Sequence, residues 1–350
     1  MVQLKLDTLN MHLDLAHYTD QMTSTLLDIE QWQYTNTISN IHNIVFCGMG
    51  GSAIGADLVR ALVADQLSVP MITLRDYSLP NFVNEHSLVF TCSFSGGTEE
   101  TLACFHEARK RNASIITLSS GGELEKLSTE NQIPFFKINY KSHCGQPRVN
   151  SGVMITAILG ILEKLNLITF SREDINESIK LITDSYTKWN PELTTDTPPL
   201  PLQLAEKIKQ HIPIVHGSGL TASIALRWKQ DISETGKHTT SFETIPECNH
   251  NALVGYEFPT PLGDNVFMLA LRSSFEHPRN TTRWNIMKEI WQQRNLPFEE
   301  VSAQGSSKLS QLFYLVYLGM CTSFYLGLLH NIDPTPVNVI SFIKDALAKT

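Results

Sequence analysis

The chain has 350 residues, 42% of them hydrophobic, and this length and apolar content predict about two globular domains with sizeable cores. Its formal net charge of -8 at pH 7 argues against a nucleic-acid-binding protein, which would need lysine and arginine concentrated on one face. The six cysteines form no CxxC pair and no basic and apolar leader is present, so we expect reduced thiols and a cytoplasmic protein.

The first half of the chain predicts a helical arm followed by a parallel sheet. Residues from about 10 to 35 carry apolar side chains at helical spacing, which is typical of an amphipathic packing helix. Short apolar runs then alternate with stretches long enough for helices. These runs are residues 44–47, 71–74, 88–92, 115–118 and 135–138. The alternation predicts an α/β fold with helices on both faces of a mainly parallel sheet.

The second half repeats the pattern of the first. Residues 190–201 contain four prolines and read as a linker. Beyond it, the segment 214–219 (IVHGSG) can be laid beside 45–50 (VFCGMG), and each opens an apolar helix. We therefore expect two similar domains, the arm and first domain in residues 1–189 and the second domain, with the C-terminal helices, in 202–350.

Residues 312–329 need a membrane check, because the segment is apolar enough to count as a borderline spanning helix. It carries Thr322 and Ser323 and lacks flanking clusters of lysine or arginine. We therefore expect a buried core or interface helix and no membrane association.

Two loops in the first half are candidates for anion binding. Residues 48–55 (GMGGSAIG) lie between a predicted strand and a helix, where small residues let backbone N–H groups approach a phosphate. This loop also fits a loose dinucleotide-binding fingerprint or a simple tight turn. Residues 93–98 (SFSGGT) supply three hydroxyls before the next helix, which suits a phosphate monoester better than a dinucleotide. Helix capping could explain one of these hydroxyls, hardly all three.

These loops resemble the sugar isomerase domain (SIS) family, and the second half narrows the resemblance. The segments 227–237 (RWKQDISETGK), 246–251 (PECNHN) and 333–337 (DPTPV) are similar to those of bifunctional phosphoglucose/phosphomannose isomerases. The resemblance spans roughly residues 40–350. It implies two SIS-type domains and an enzyme that interconverts glucose 6-phosphate, mannose 6-phosphate or both with fructose 6-phosphate, in glycolysis or gluconeogenesis.

By position, the resemblance implies the following phosphate-binding residues: Gly51, Ser52, Ser93, Ser95 and Thr98. It implies that Glu234 is the catalytic base, Arg148 the active-site arginine, His250 the ring-opening histidine and Lys344 a lysine of the same pocket. In the family this histidine comes from the partner subunit, so a homodimer that shares His250 is implied. No metal and no cofactor are expected.

The chemistry of an aldose–ketose isomerisation suits these residue types. One base must move a proton between C1 and C2 on one face of a cis-enediol, and a guanidinium can stabilise the charge that develops on the oxygens. Simpler roles stay open: Glu234 could pair with Lys237, Arg148 could be a surface arginine, and His250 could be a hydrogen-bonded loop residue.

Other functions compete with this one. A non-catalytic sugar-phosphate sensor would keep the hydroxyl loops but have no use for Glu234. An isomerase of another sugar or amino-sugar phosphate is a second enzymatic alternative. A dehydrogenase ranks last, although Asp76 lies roughly at the position of a ribose-binding acid. The family commonly has asparagine at three positions, Gly97, Ser233 and Thr235, and these changes concern substrate preference more than reaction type.

Overall fold

The computed structural model describes residues 3–34, 38, 40–193, 196–347 and 349. The chain divides into two compact units, which we name by their sheets. The sheet A unit comprises the described residues of 17–180 and 305–313. The sheet B unit comprises those of 1–16, 181–304 and 314–350.

The predicted arm forms two helices, α1 (Met11–Ala16) and α2 (Tyr18–Gln31). In α2 the buried side chains recur at helical spacing, among them Tyr18, Met22 and Ile29, so one face of the helix packs inward. In the sheet A unit this face packs against α6 (Ser151–Lys164), an apolar helix whose first twelve residues are all buried.

Sheet A has five parallel strands in the order β2-β1-β3-β4-β5, and it confirms the predicted α/β architecture. The strands are β1 (Asn43–Cys47), β2 (Met71–Leu74), β3 (Ser87–Cys92), β4 (Ser114–Ser119) and β5 (Phe135–Lys137). The connecting helices are α3 (Gly50–Leu62), α4 (Glu99–Lys110) and α5 (Gly122–Glu130). Every residue of β3 is buried, as expected for a central strand covered on both faces.

Sheet B has four parallel strands in the order β7-β6-β8-β9, which is the order of the first four strands of sheet A. The strands are β6 (Ile212–Ser218), β7 (Ser241–Ile245), β8 (Val266–Arg272) and β9 (Phe298–Ser302). The helices that follow α6 along the chain are α7 (Arg172–Trp189), α8 (Leu200–Ile208), α9 (Leu220–Glu234), α10 (Ala252–Gly255), α11 (Pro278–Gln293), α12 (Lys308–Leu329) and α13 (Asn338–Leu347). The repeated strand order agrees with two similar domains.

Helix α12 contains the predicted apolar segment 312–329. Among the described residues it is the one helix long and apolar enough to cross a membrane, and 94% of its most apolar window is buried inside the protein. In the sheet B unit its tyrosines Tyr317 and Tyr325 donate hydrogen bonds to the carbonyls of Leu15 and Trp189. The prediction of a buried helix is therefore confirmed.

The two units group some residues differently from the predicted boundaries 1–189 and 202–350. The start of the arm, through Ala16, belongs with sheet B, and residues 305–313 belong with sheet A, where Ser306 N–H and the Ser307 hydroxyl donate to Glu177. Helix α8 begins at Leu200, inside the predicted linker 190–201, and residues 194 and 195 of that linker lie outside the described residues.

Candidate functional site

The two predicted phosphate loops follow neighbouring strands of sheet A. Strand β1 lies beside β3. After β1 the chain continues to β2 at one edge of the sheet, whereas after β3 it continues to β4 toward the other edge, so the strand order reverses between β1 and β3. In open parallel sheets, ligands bind outside the carboxyl ends of the strands at such a switch point. Both loops begin at the carboxyl ends of these two strands, β1 and β3, and therefore lie at the switch point.

The hydroxyls of the 93–98 loop cluster together. The Oγ atom of Ser93 lies 2.7 Å from Thr98 Oγ1 and 3.5 Å from Ser95 Oγ, and it accepts a hydrogen bond from Gly96 N–H at 3.1 Å. Thr98 is the N-cap residue of α4, yet its side chain makes no capping hydrogen bond to the helix. Helix capping therefore does not account for this hydroxyl, and the loop offers a concentrated set of donors.

Ser52 and Gly51 lie in the first turn of α3, as predicted for the first loop. A methyl group placed on Gly48 would lie 3.0 Å from the Cys92 carbonyl oxygen and 3.3 Å from Cβ of the buried Ser52, so the first loop lies against the end of β3. Burial raises the pKa of the Cys92 thiol to about 12, so this thiol stays protonated and offers no nucleophile. A methyl group placed on Gly51 would lie 3.7 Å from Arg148 Cα, so Arg148 joins the same cluster.

Arg148 is a buried residue of the short 3₁₀ helix Pro147–Val149, only 6% exposed, which excludes the simpler role of a surface arginine. Its Nη1 donates to Gln146 Oε1 at 3.0 Å. The buried Gln21 of α2 fixes the turn from the other side, because its amide donates to Val149 O and accepts from Gly152 N–H. This role of Gln21 could not be predicted from the sequence, because its hydrogen bonds join residues more than a hundred positions apart.

Glu234 is the last residue of α9 in the sheet B unit, and it is half-buried. Lys237 donates to the main-chain carbonyl of Glu234, not to its carboxylate. Within the described residues the Glu234 carboxylate forms no hydrogen bond and no ion pair. The alternative of a helix-surface pair with Lys237 is therefore wrong, and the carboxylate is available to a ligand.

His250 ends the 3₁₀ helix Glu247–His250 and is exposed. Its neighbours anchor this segment: Asn249 accepts from Arg283, and Asn251 donates to Glu247 and caps α10. The His250 ring itself has no hydrogen-bond partner among the described residues. The two asparagines thus hold the backbone and leave the imidazole directed to solvent.

Lys344 lies on α13, and every described residue of this helix is exposed. Among the described residues, Glu234, His250 and Lys344 share no hydrogen bond or ion pair with one another. Helix α13 also exposes a set of large apolar side chains, Val339, Ile340, Phe342, Ile343 and Leu347. Near His250, Val254 and Phe258 are each more than 70% exposed.

Sheet B carries a counterpart of the hydroxyl loop, and it is filled by the chain itself. Strand β8 takes the place of β3 in the strand order, and the five residues 273–277 lie between β8 and α11 as the six residues 93–98 lie between β3 and α4. There the nearly inaccessible Glu276 carboxylate accepts two hydrogen bonds from Arg272 Nε at 3.0 and 3.1 Å, and another from Ser273 N–H at 3.0 Å. The Glu276 carboxylate therefore takes up the hydrogen bonds that Arg272 Nε and Ser273 N–H offer in this loop.

Two parallel sheets that share a strand order, one of them with a hydroxyl loop at its switch point, are the architecture expected of a two-domain sugar isomerase (SIS) protein. Residues 200–347 match the family model described as bacterial phospho-glucose isomerase C-terminal SIS domain. A solved structure, the C-terminal domain of glucosamine-fructose-6-phosphate aminotransferase from Francisella tularensis, shares the fold with a TM-score of 0.68. The matched region covers 94% of this chain and 98% of the Francisella tularensis domain, at 15% sequence identity.

Curated relatives identify the family. The chain is 35% identical to the bifunctional phosphoglucose/phosphomannose isomerase of Caldicellulosiruptor bescii over 89% of this chain and 91% of the relative. It is 33% identical to the protein of the same name from Aquifex aeolicus over 87% of this chain and 90% of the relative. The chain belongs to the bifunctional phosphoglucose/phosphomannose isomerase family, and it is an isomerase.

Proposed function

We propose that the protein interconverts glucose 6-phosphate, mannose 6-phosphate or both with fructose 6-phosphate through a cis-enediol. Membership of the isomerase family supports this reaction. The hydroxyls of Ser52, Ser93, Ser95 and Thr98, with the N-termini of α3 and α4, are the proposed cradle for the 6-phosphate. Hydrogen bonds from neutral donors and helix ends suit a phosphate in a protein of net negative charge.

The proposed proton transfer uses Glu234 as the single base that removes a proton from one carbon and returns it to the other. Arg148 is the proposed partner of the negative charge that develops on the enediol oxygens. Because hexose phosphates arrive mainly as closed rings, His250 is assigned to ring opening, where an imidazole can both donate and accept a proton. Lys344 is assigned to the same pocket as a second cation.

One observation carries this proposal: the half-buried Glu234 carboxylate has no hydrogen bond or ion pair within the described residues. An ion-paired carboxylate would be a weaker base, and a fully exposed one would be poorly placed for a bound sugar. The end of a long, well-packed helix instead holds this carboxylate unengaged. A non-catalytic sugar-phosphate sensor gives no reason for such an arrangement.

The proposed working form is a cytoplasmic homodimer in which each site takes His250 from the partner subunit. The exposure of His250, without a hydrogen-bond partner among the described residues, supports this form. The exposed apolar side chains of α13 and of Val254 and Phe258 support it further, because large apolar surfaces of this kind are typical of subunit contacts.

The test replaces Glu234 by glutamine, which keeps the size of the side chain and removes the base. We expect kcat for fructose 6-phosphate to fall by about 10²–10⁴-fold with little change in substrate binding. Incorporation of solvent deuterium at C2 of the product aldose reports the proton transfer directly and should fall in parallel. Glu206→Gln, an exposed change on α8, is the matched control and should leave both quantities unchanged.

Full activity of Glu234→Gln would overturn the assignment of the base. Binding of hexose 6-phosphates by the wild type without exchange at C2 would instead favour a sugar-phosphate sensor. Exchange only with another sugar or amino-sugar phosphate would keep the chemistry and change the substrate.

A further inference from the structure

Lys237 holds the segment that follows α9 through hydrogen bonds to main-chain carbonyls. This residue adopts a left-handed backbone conformation with φ of 52°. Its Nζ donates to the main-chain carbonyl of Glu234 and, at 3.1 Å, to that of Pro334. One ammonium group thus joins the end of α9 to the segment between α12 and α13, all within the sheet B unit.

The contact is physically well matched to a helix end. The last carbonyls of a helix have no partner inside the helix, and a cation there also interacts favourably with the helix dipole. A left-handed conformation is strained for a non-glycine residue, and the two hydrogen bonds of Lys237 offset this strain. Because the ammonium uses the carbonyl of Glu234, it fixes the backbone and leaves the carboxylate unpaired.

A second contact joins the same two segments. His238 Nε2–H donates to the carbonyl of His211 at 2.6 Å, so its Nδ1 accepts from His330 Nε2–H at 2.9 Å. Burial lowers the pKa of His330, and charge repulsion from His238 and Lys209 lowers it further, which favours the neutral form of the His330 ring. Gly327 permits the close approach, since a methyl group on it would lie 2.8 Å from the carbonyl oxygen of Thr235.

We propose that Lys237 is a positioning residue of the isomerase, which sets the direction of the Glu234 carboxylate by holding the backbone of Glu234 against the Pro334 segment. The inference rests on the proposed function, in which Glu234 is the base. Lys237 touches no reacting atom in this assignment. Its contribution is to keep one carboxylate within the narrow range of positions from which a proton can be moved between adjacent carbons.

The experiment compares Lys237→Met, which removes both hydrogen bonds and keeps the stem, with Lys237→Arg, which keeps a cation. For Lys237→Met we expect kcat with fructose 6-phosphate to fall about 10-fold or more, while KM changes less than about twofold. Deuterium exchange at C2 should fall by the same factor. Lys237→Arg should recover part of kcat. The control is Lys207→Met, which removes an ion pair with Glu299 elsewhere in the same unit.

Unchanged kcat in folded Lys237→Met, confirmed by thermal melting, would overturn the proposal, and so would a loss confined to KM. A loss of kcat in Lys207→Met of the same size would show a general effect of destabilisation and would also overturn it. Wild type and Glu234→Gln are measured in the same series. If the wild type shows no C2 exchange, the proposed function fails, whereas an active wild type with an inactive Glu234→Gln leaves Lys237 to be judged alone.

Discussion

The hydroxyls of the 93–98 loop bind one another as well as their own backbone. Ser93 contacts Thr98 and Ser95, and Gly96 N–H donates to Ser93. A phosphate oxygen that binds in this loop must replace these hydrogen bonds. The net binding free energy is therefore the difference between the bonds to phosphate and the bonds that are lost. At about 0.5–1.5 kcal/mol for each neutral bond, no single hydroxyl decides binding, and the cradle acts through their number.

The two adjacent glycines of this loop have different requirements. A methyl group placed on Gly97 would meet no atom within 4 Å. Gly96 has φ of 73°, and a methyl group placed on it would lie 1.8 Å from the carbonyl oxygen of Gly121. We expect Gly97→Asn to fold normally and to lower KM for a hexose 6-phosphate by roughly 2- to 10-fold, because one added amide hydrogen bond contributes about 0.5–1.5 kcal/mol. Steady-state kinetics measures the change.

Gly96→Ala is the contrasting variant. The clash with backbone and the left-handed conformation should destabilise it by about 2 kcal/mol or more, seen as a lower midpoint in chemical denaturation. A Gly97→Asn protein with unchanged KM would mean that the phosphate does not reach residue 97.

At this scale the sequence could indicate residue types but not contacts. The spacing of Ser93, Ser95 and Thr98 before a helix was enough to predict a cluster, because all three belong to one loop. The burial of Arg148 and the hydrogen bonds of Gln21 to Val149 and Gly152 were not predictable, since they depend on how α2 packs onto the turn before α6. The bond from Lys237 to a carbonyl likewise depends on a backbone conformation that composition does not reveal.

At the scale of elements, the strands were predictable because each is a short, buried, apolar run that ends at a turn. All five predicted strands of the first sheet appear within one residue at each end. The boundaries of the two units could not be predicted from the order of elements along the chain in the same way. Residues 305–313 group with sheet A because Glu177 of α7 accepts hydrogen bonds from Ser306 and Ser307, a contact across more than a hundred residues.

The counterpart loop of sheet B yields a prediction about stability. Glu276→Gln keeps the shape but removes the charge that Arg272 and Ser273 N–H bind, so we expect a loss of about 1.5–3 kcal/mol in the free energy of unfolding. Denaturant titration measures this loss. Because the carboxylate already fills this loop, KM for a hexose 6-phosphate should stay unchanged.

Glu257→Gln is the control for that variant, since Glu257 pairs with Arg294 at 3.1 Å in an exposed position. Such surface pairs contribute about 0–1 kcal/mol, so the control should be nearly neutral. A large rise of KM in Glu276→Gln would indicate that the sheet B loop takes part in phosphate binding, contrary to the assignment of the substrate to the sheet A loops.

At the scale of the whole molecule, the proposed homodimer explains why two site residues, His250 and Lys344, lie in exposed segments. A single chain leaves the five large apolar side chains of α13 in water, together with Val254 and Phe258. Burial of apolar surface is the main favourable contribution to association, and a closed dimer of identical subunits is the commonest way to provide it. Association would then place His250 of each chain in the site of the other.

Shared sites predict recovery of activity when two inactive variants exchange subunits. A hybrid of Glu234→Gln and His250→Ala has one site that combines the intact Glu234 of one chain with the intact His250 of the other. Its second site lacks both groups. Random exchange makes about half of the dimers hybrids with one active site of two, so we expect recovery of about a quarter of wild-type activity. A coupled assay measures it, and mass-tagged subunits confirm the exchange.

Recovery should grow with the same time course as hybrid formation, because each new hybrid adds one complete site. The control is a mixture of Glu234→Gln with Arg148→Ala, in which both changes affect residues assigned to the same chain. Under the proposed arrangement this mixture stays inactive, because every hybrid site lacks either Glu234 or Arg148. It would recover activity only if these two residues came from different chains. Full exchange without recovery in the first mixture would place Glu234 and His250 in one chain and remove the functional reason for the dimer.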